Sequence, residues 1–389
     1  MTRGIILLMI AISASCMDAR AADQIKLGLT TALSGPGAIS GTELKRGFDL
    51  AIEELGSKLG GTPVTVYVVD DQSSPSEAVQ SASKLIDQYK VDIVTGFSIS
   101  NTLAAEEKSF LDAGITTVSA LAGPAQYAGK ECNANAFFVA FQNEDWPAGV
   151  GKYLTDKGIK SVYFIGVDYL AGWEQIGGAI RTYKGKTFGP VFTPLSQLDF
   201  SAELAQVRAA KPDAVFVFNF GAGGIAFVKQ YAQSGLKSQI PLYSVDTIAN
   251  ELSFPAEGEA ALGMMLGTSW NADLDNPANK KFVSAFVAKY GRRPAVYAAL
   301  AYDAVKLLDS AVAAVQGKIE NKDAFRAAIK KADFQSVRGS FRFNNNNFPF
   351  QDVYMEEVVK DSEGIMKLAI KELAAKDLED NYHQDCPLK

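Results

Sequence analysis

The sequence predicts an α/β protein built as two doubly wound parallel-sheet lobes, and three observations predict it. Short apolar, β-branched runs alternate with amphipathic helical runs along most of the chain. The alternation restarts near Trp146, which divides it into two series. The length, 389 residues, is too great for one ordinary domain and suits two. Strands alternating with helices give parallel sheets with helices packed on both faces.

The elements follow in order. "IKLGLTTAL" reads as a strand, and "ELKRGFDLAIEELG" as a helix with Leu44, Phe48, Ala51, Ile52 and Leu55 on one face. "VTVYVVDD" is a strand; "SPSEAVQSASKLIDQY" is a helix opened by Ser-Pro, with Glu77 in its first turn. Val91 to Thr95 is a β-branched strand that Gly96 ends. Ser98, Ser100, Asn101 and Thr102 form a small polar loop, and a helical run continues through Ala113. A helix N-terminus opening onto such a loop offers unpaired N–H groups and partial positive charge. "GITTVSAL" completes the first series.

From Trp146 come the helix "WPAGVGKYLTDKG", strand "SVYFIGV", helix "GWEQIGGAIRTY" and short strand "GPVFTP". Helix "SAELAQVRAAK", strand "AVFVFNF", helix "GIAFVKQYAQSG" and strand "PLYSVD" complete the second series. Three helical runs follow, "PANKKFVSAFVAKYG", "AVYAALAYDAVKLLDSAVAAVQG" and "KDAFRAAIKKA", then strand-like pieces at "SFRFN" and "DVYMEEVV". Asn344 to Asn347 between those pieces predicts a hairpin turn, because asparagine tolerates left-handed φ.

Composition excludes several classes of function. A formal charge of −6 and a pI near 5.1 give no basic face for nucleic acid. The single histidine, His383, lies six residues from the C-terminus, which argues against histidine triads and histidine-rich metal sites. No CxxC pair, phosphate-cradling GxxxxGK[ST] loop or HExxH is present. No metal, cofactor or catalytic residue is therefore expected, and the protein is read as a non-enzyme. One motif stands against this. Gly221, Gly223 and Ala226 fit G-x-G-x-x-A at a strand-to-helix turn, and Asp246 ends the next strand where a ribose-binding acid would sit. Its late place in the chain and the expectation of export argue instead for a tight structural turn.

The N-terminus reads as a signal peptide over residues 1–21. Arg3 supplies the positive region, Gly4 to Ser15 the apolar one, and Ala19 and Ala21 permit cleavage before Ala22. The rival is a lipoprotein signal ending at Cys16, but "SASC" lacks the usual leucine. Cleavage leaves Cys132 and Cys386, an even pair in an oxidising compartment, expected to form a disulfide; the alternative is two unrelated thiols.

Four stretches together resemble the periplasmic binding proteins of branched-chain amino acid (Leu/Ile/Val-type) ABC transporters. They are Thr31–Gly56, Val68–Ile86, Val91–Glu107 and Asp199–Phe216. The resemblance spans nearly the whole mature chain and implies the type I periplasmic binding fold, two lobes joined by three hinge strands. It places lobe I at residues 23–142 plus 271–349 and lobe II at 143–270 plus 350–389. It also implies a ligand site. Ser100 falls where relatives hold the ligand carboxylate with a serine hydroxyl and helix-terminal amides, and Asn101 follows it; a bare N-cap role is the alternative. In the loop "SALAGPA", which also brings Leu121 to the expected site, Gly123 stands where relatives use a threonine, so only its amide remains. Ala171 in "DYLAG" replaces a tyrosine, Ser40 replaces an aromatic residue, and Phe220 falls where a tyrosine packs on the ligand. Asp246 matches the acid that pairs with the ammonium.

These departures predict a roomier cavity that keeps its carboxylate end, and hence an aromatic or bulky apolar acid, with Asp246 accepting from a ring hydroxyl. Branched-chain amino acids are the alternative ligand. The partners expected are a small-molecule carboxylate and ABC transporter permease subunits, with no nucleic acid; the expected state is a monomer in the periplasm. A ligand-sensing module and, less favoured, a nicotinamide-dependent oxidoreductase are the rival functions.

Overall fold

The computed structural model describes residues 24–388; the proposed signal peptide and Cys16 lie outside them. The first series forms β1 (Ile25–Thr31), α1 (Ala38–Glu54), β2 (Lys58–Leu59), β3 (Thr62–Asp70), α2 (Pro75–Ser83), β4 (Ile93–Gly96), α3 (Ser100–Asp112), β5 (Thr116–Ser119), α4 (Ala125–Ala128) and β6 (Ala136–Phe138). A π-helical turn, Lys84–Tyr89, prolongs α2. The strands make one sheet in the order β2-β3-β1-β4-β5-β6, parallel except for the β2–β3 hairpin.

The second series forms α5 (Asp145–Asp156), β7 (Ser161–Val167), α6 (Leu170–Thr182), β8 (Lys186–Thr193), α7 (Ser201–Ala210), β9 (Ala214–Val217), α8 (Gly221–Gln233), β10 (Leu242–Val245), α9 (Phe254–Glu257) and β11 (Met265–Thr268). The chain then returns to the first sheet with α10 (Pro277–Tyr290), α11 (Val296–Ala314) and α12 (Lys322–Lys331), α11 packing along α1. It ends with β12 (Gln351–Lys360) and β13 (Met366–Leu378), which extend the second sheet to β13-β12-β11-β10-β9-β7-β8. The chain therefore crosses between the sheets three times: after β6, after β11 and before β12.

Two details depart from expectation. "SFRFN" forms no strand; only Phe343 bridges Pro349. Its neighbourhood is tied down by side chains instead: Asn347 Nδ2 donates to Ala136 O (3.0 Å) and Asn346 Nδ2 to Ala128 O (2.8 Å). The turn itself forms as expected, with Asn347 at φ +64° and its N–H on Asn344 O. The second sheet is mixed, since β12 and β13 run antiparallel to their neighbours.

Cys132 and Cys386 form a disulfide with Cα atoms 5.7 Å apart, fastening the C-terminal tail beside α4. Thiol titration of the unfolded, unreduced chain from residue 22 onward is expected to find no free cysteine; two reactive thiols per chain would refute the bridge.

Candidate functional site

The loop after β4 owes its shape to two left-handed residues. Gly96 has φ +113°, and a Cβ there would lie 2.1 Å from Thr30 O, so only glycine fits. Phe97, at φ +59°, anchors the turn by burying its ring against Phe110 and donating its N–H to Thr30 O (2.8 Å). The chain then straightens through Ile99, which holds the N-cap position of α3 with no side-chain cap, and the helix starts at Ser100. The first-turn amides and the positive end of the helix are left facing the gap between the sheets.

That gap holds a narrow cavity. Ser40, Ser98, Ile99, Ser100, Leu121 and Ala122 line it from the first sheet's side, with Tyr297 at the start of α11. Tyr169, Ala171, Gln175, Phe218, Phe220 and Thr247 line it from the second, and Phe141 and Asn143 from the first crossing. The wall includes no Asp, Glu, Lys or Arg. Tyr169, Phe218 and Phe220 form one aromatic cluster, with ring centroids 5.7–6.3 Å apart.

Hydrogen bonding sets the polarity of the serine end. Asn143 Nδ2 donates to Ser100 Oγ (3.0 Å), and Asn143 Oδ1 accepts from Gly123 N (3.2 Å). Ser100 therefore accepts inside the protein and keeps its own proton to donate. Ser98 Oγ likewise accepts, from Ala32 N (2.9 Å). Gln175 is 2% exposed, and its side-chain oxygen has no partner. A buried unpaired amide costs free energy that a bound polar group recovers.

Ser40, Ser100, Leu121, Ala171 and Phe220 are thus brought to one cavity, and three predicted residues are not. Asn101 turns towards α6, where its Oδ1 accepts from Leu170 N (3.2 Å). The Gly123 amide is occupied by Asn143. Asp246 lies beneath the wall, 2% exposed, with one oxygen 3.5 Å from Thr268 Oγ1; the next residue, Thr247, takes its place on the lining. Burial, with Glu356 and Glu251 adding repulsion, holds the Asp246 carboxyl well above the usual carboxylate range. Tyr169, Phe218 and Tyr297 line the cavity beside Ala171 and Ser40. Sequence reasoning missed Gln175 and Asn143. Gln175 had a signal, since it lies four residues after Ala171 on one helix face; Asn143 lies in an irregular crossing and had none.

The glycine-rich turn is structural. Gly221 starts α8 at φ +58°, and a Cβ there would lie 2.9 Å from Pro36 O across the gap.

Two α/β sheets, three crossings and a polar–aromatic slot between them define a type I periplasmic binding protein. The chain matches the family model described as periplasmic binding protein over residues 24–363, and it belongs to that family. Among curated relatives, Leu/Ile/Val-binding protein homolog 6 of Brucella melitensis is 27% identical over 371 residues, 91% of this chain and 93% of that protein. Among solved structures, an ABC transporter solute-binding protein from R. palustris in complex with benzoate is 31% identical with a TM-score of 0.88, covering 94% of this chain and 100% of that one. A solute-binding protein from Rhodopseudomonas palustris BisB5 in complex with 3,4-dihydroxy benzoic acid is 27% identical with a TM-score of 0.84, covering 92% and 99%. Among the described residues, no helix is long and apolar enough to cross a membrane.

Proposed function

We propose that this chain is an exported, periplasmic solute-binding protein that captures a small aromatic carboxylate between its lobes and delivers it unchanged to ABC permease subunits. The observation that carries the reading is the uncharged wall. A carboxylate can be met by the Ser100 hydroxyl and the first-turn amides of α3, with no cation needed. An α-amino acid would also bring an ammonium, and no ionised carboxylate lines the cavity to receive it. A slot walled by Tyr169, Phe218, Phe220 and Leu121 suits a flat ring, whose faces and edges pack on aromatic neighbours. The benzoate and dihydroxybenzoate complexes of the similar proteins support this choice. Branched-chain amino acids remain the second reading, favoured by the names of the curated relatives.

Mass spectrometry of ligand released from protein purified without refolding should identify an aromatic acid. Calorimetry should find binding of benzoate-type acids well ahead of leucine and valine. Tight leucine binding with every aromatic acid ignored would overturn the assignment. Ala171→Tyr should penalise aromatic acids by about 1–3 kcal/mol through overpacking, and smaller ligands less. Equal loss for both sizes would show that residue 171 does not set the width of the site.

A further inference from the structure

Behind the cavity wall, a second set of hydrogen bonds joins the two halves of the molecule. Glu174, on α6, accepts from the backbone N–H of Ala125 at the start of α4 (2.9 Å) and from Asn143 Nδ2 (2.7 Å). The α6 helix packs on the second sheet, whereas α4 belongs to the first, and Asn143 lies in the crossing between them. Asn101 on α3 adds a parallel link by accepting from Leu170 N at the start of α6.

The Asn143 amide is the centre of this arrangement. Its two N–H groups go to Glu174 and Ser100, and its oxygen to the Gly123 amide. The Gly123 N–H can only donate, so the amide end facing it is oxygen, and Glu174, which accepts in either protonation state, holds the NH₂ end beside Ser100. That in turn makes Ser100 an acceptor within the protein and leaves its proton for the ligand.

We propose that Glu174 is a positioning residue at the centre of an inter-lobe latch: it orients Asn143, which aims the Ser100 hydroxyl into the cavity, so that lobe closure, ligand capture and uptake of a proton are coupled. The inference rests on the solute-binding reading above but not on the ligand being aromatic.

The electrostatic surroundings explain the proton. Glu144, at the head of α5, faces Glu174 and repels it. Glu144 is itself paired with Arg181 (3.1 Å) and accepts from Tyr382 Oη of the tail (2.5 Å). Tyr169 is the remaining titratable neighbour and is neutral at physiological pH, its burial raising it further. Burial between the lobes outweighs the two hydrogen bonds and pushes the Glu174 carboxyl up to about 7. Parting the lobes would return it to water and towards its ordinary value of 4.5. The closed state therefore binds the proton more tightly. Its advantage is fully present below about pH 4.5 and is lost as the pH rises through about 7. Ligand affinity should fall over that interval and level off above it.

The test is calorimetry at pH 6 in two buffers of different ionisation enthalpy, with benzoate and with leucine as probes, on wild type and Glu174→Gln. Wild type should take up more than about half a proton per ligand bound. In Glu174→Gln the uptake should vanish, the affinity should flatten between pH 5 and pH 8, and Kd should rise roughly tenfold, because the glutamine oxygen keeps one of the two donors while the new NH₂ group faces the other. An unchanged thermal midpoint would show that the variant folds. The proposal is overturned if wild type takes up no proton, or if the glutamine variant keeps both the uptake and the pH profile. If leucine binds in place of benzoate, the ligand assignment fails while the proton count on leucine still decides the latch.

Discussion

Asp303→Ala is expected to cost about 3–5 kcal/mol of folding stability, the usual loss when one member of a buried ion pair is removed. Asp303 sits on α11 with no exposed side-chain surface. Its carboxylate accepts from Ser336 Oγ (2.5 Å), Val337 N (2.9 Å) and Arg338 Nε (3.2 Å). Arg338 is 6% exposed, and its other nitrogens donate to Ala140 O (3.0 Å) and Val139 O (2.7 Å). The pair therefore fastens α11 to the first crossing, directly before the cavity residues Phe141 and Asn143. Removing the carboxylate strands a buried guanidinium and two further donors, Ser336 Oγ and Val337 N. Urea unfolding of wild type, Asp303→Ala, the single variants Asp303→Leu and Arg338→Met, and the double variant that combines those two measures the effect. The double variant should lose less than the sum of the two single losses, because it leaves no orphaned charge. A cost below about 1 kcal/mol for Asp303→Ala would mean that the crossing is not held this way.

Ser100→Ala should weaken ligand binding by about ten- to a hundredfold, with no comparable loss of stability. A hydrogen bond to a charged group contributes roughly 1.5–3 kcal/mol net, which spans that range. Losing the hydroxyl also frees one Asn143 N–H, so the change removes a bond to the ligand and loosens the group that aimed it. The first-turn amides of α3 remain, which is why binding should not be abolished. Calorimetry against a benzoate-type acid and its neutral amide separates the causes. Selective loss for the acid supports a carboxylate at Ser100. Equal loss for acid and amide, or no loss, would place the carboxylate elsewhere.

The parallel core of both lobes was legible because its signals are local. Val91 to Thr95 and Ser161 to Val167 are β-branched or apolar runs that extended backbone favours. Helix α1 carries a one-sided apolar face, with Leu44, Phe48 and Ala51 buried, that needs packed structure beneath it. Strand β13 was not legible: "MKLAIKELAAKDL" is rich in helix-forming residues. It is a strand because the free edge of β12 offers a row of backbone partners to whatever segment follows the turn at Gly364. Propensities of a few tenths of a kilocalorie per residue yield to a complete hydrogen-bond ladder.

The sequence by itself determined the two α/β series, the polar loop that ends in Ser100, and the even cysteine pair that closes as Cys132–Cys386. Each depends on neighbours along the chain or on counting. Only the tertiary structure decided which residues face the cavity. Asn101, one residue after Ser100, turns to α6, because successive helical positions are rotated by about 100°. Asp246 is buried and Thr247 lines the cavity, because β10 ends at Val245 and the chain turns there, a change of direction that the local pattern does not specify. Asn143 and Glu174 acquire their roles only when α6 meets α4 across the crossing, a contact between residues 49 apart in the chain at Ala125 and Glu174. Local pattern sets which elements form; the angle and register at which they meet set which atoms a ligand can touch.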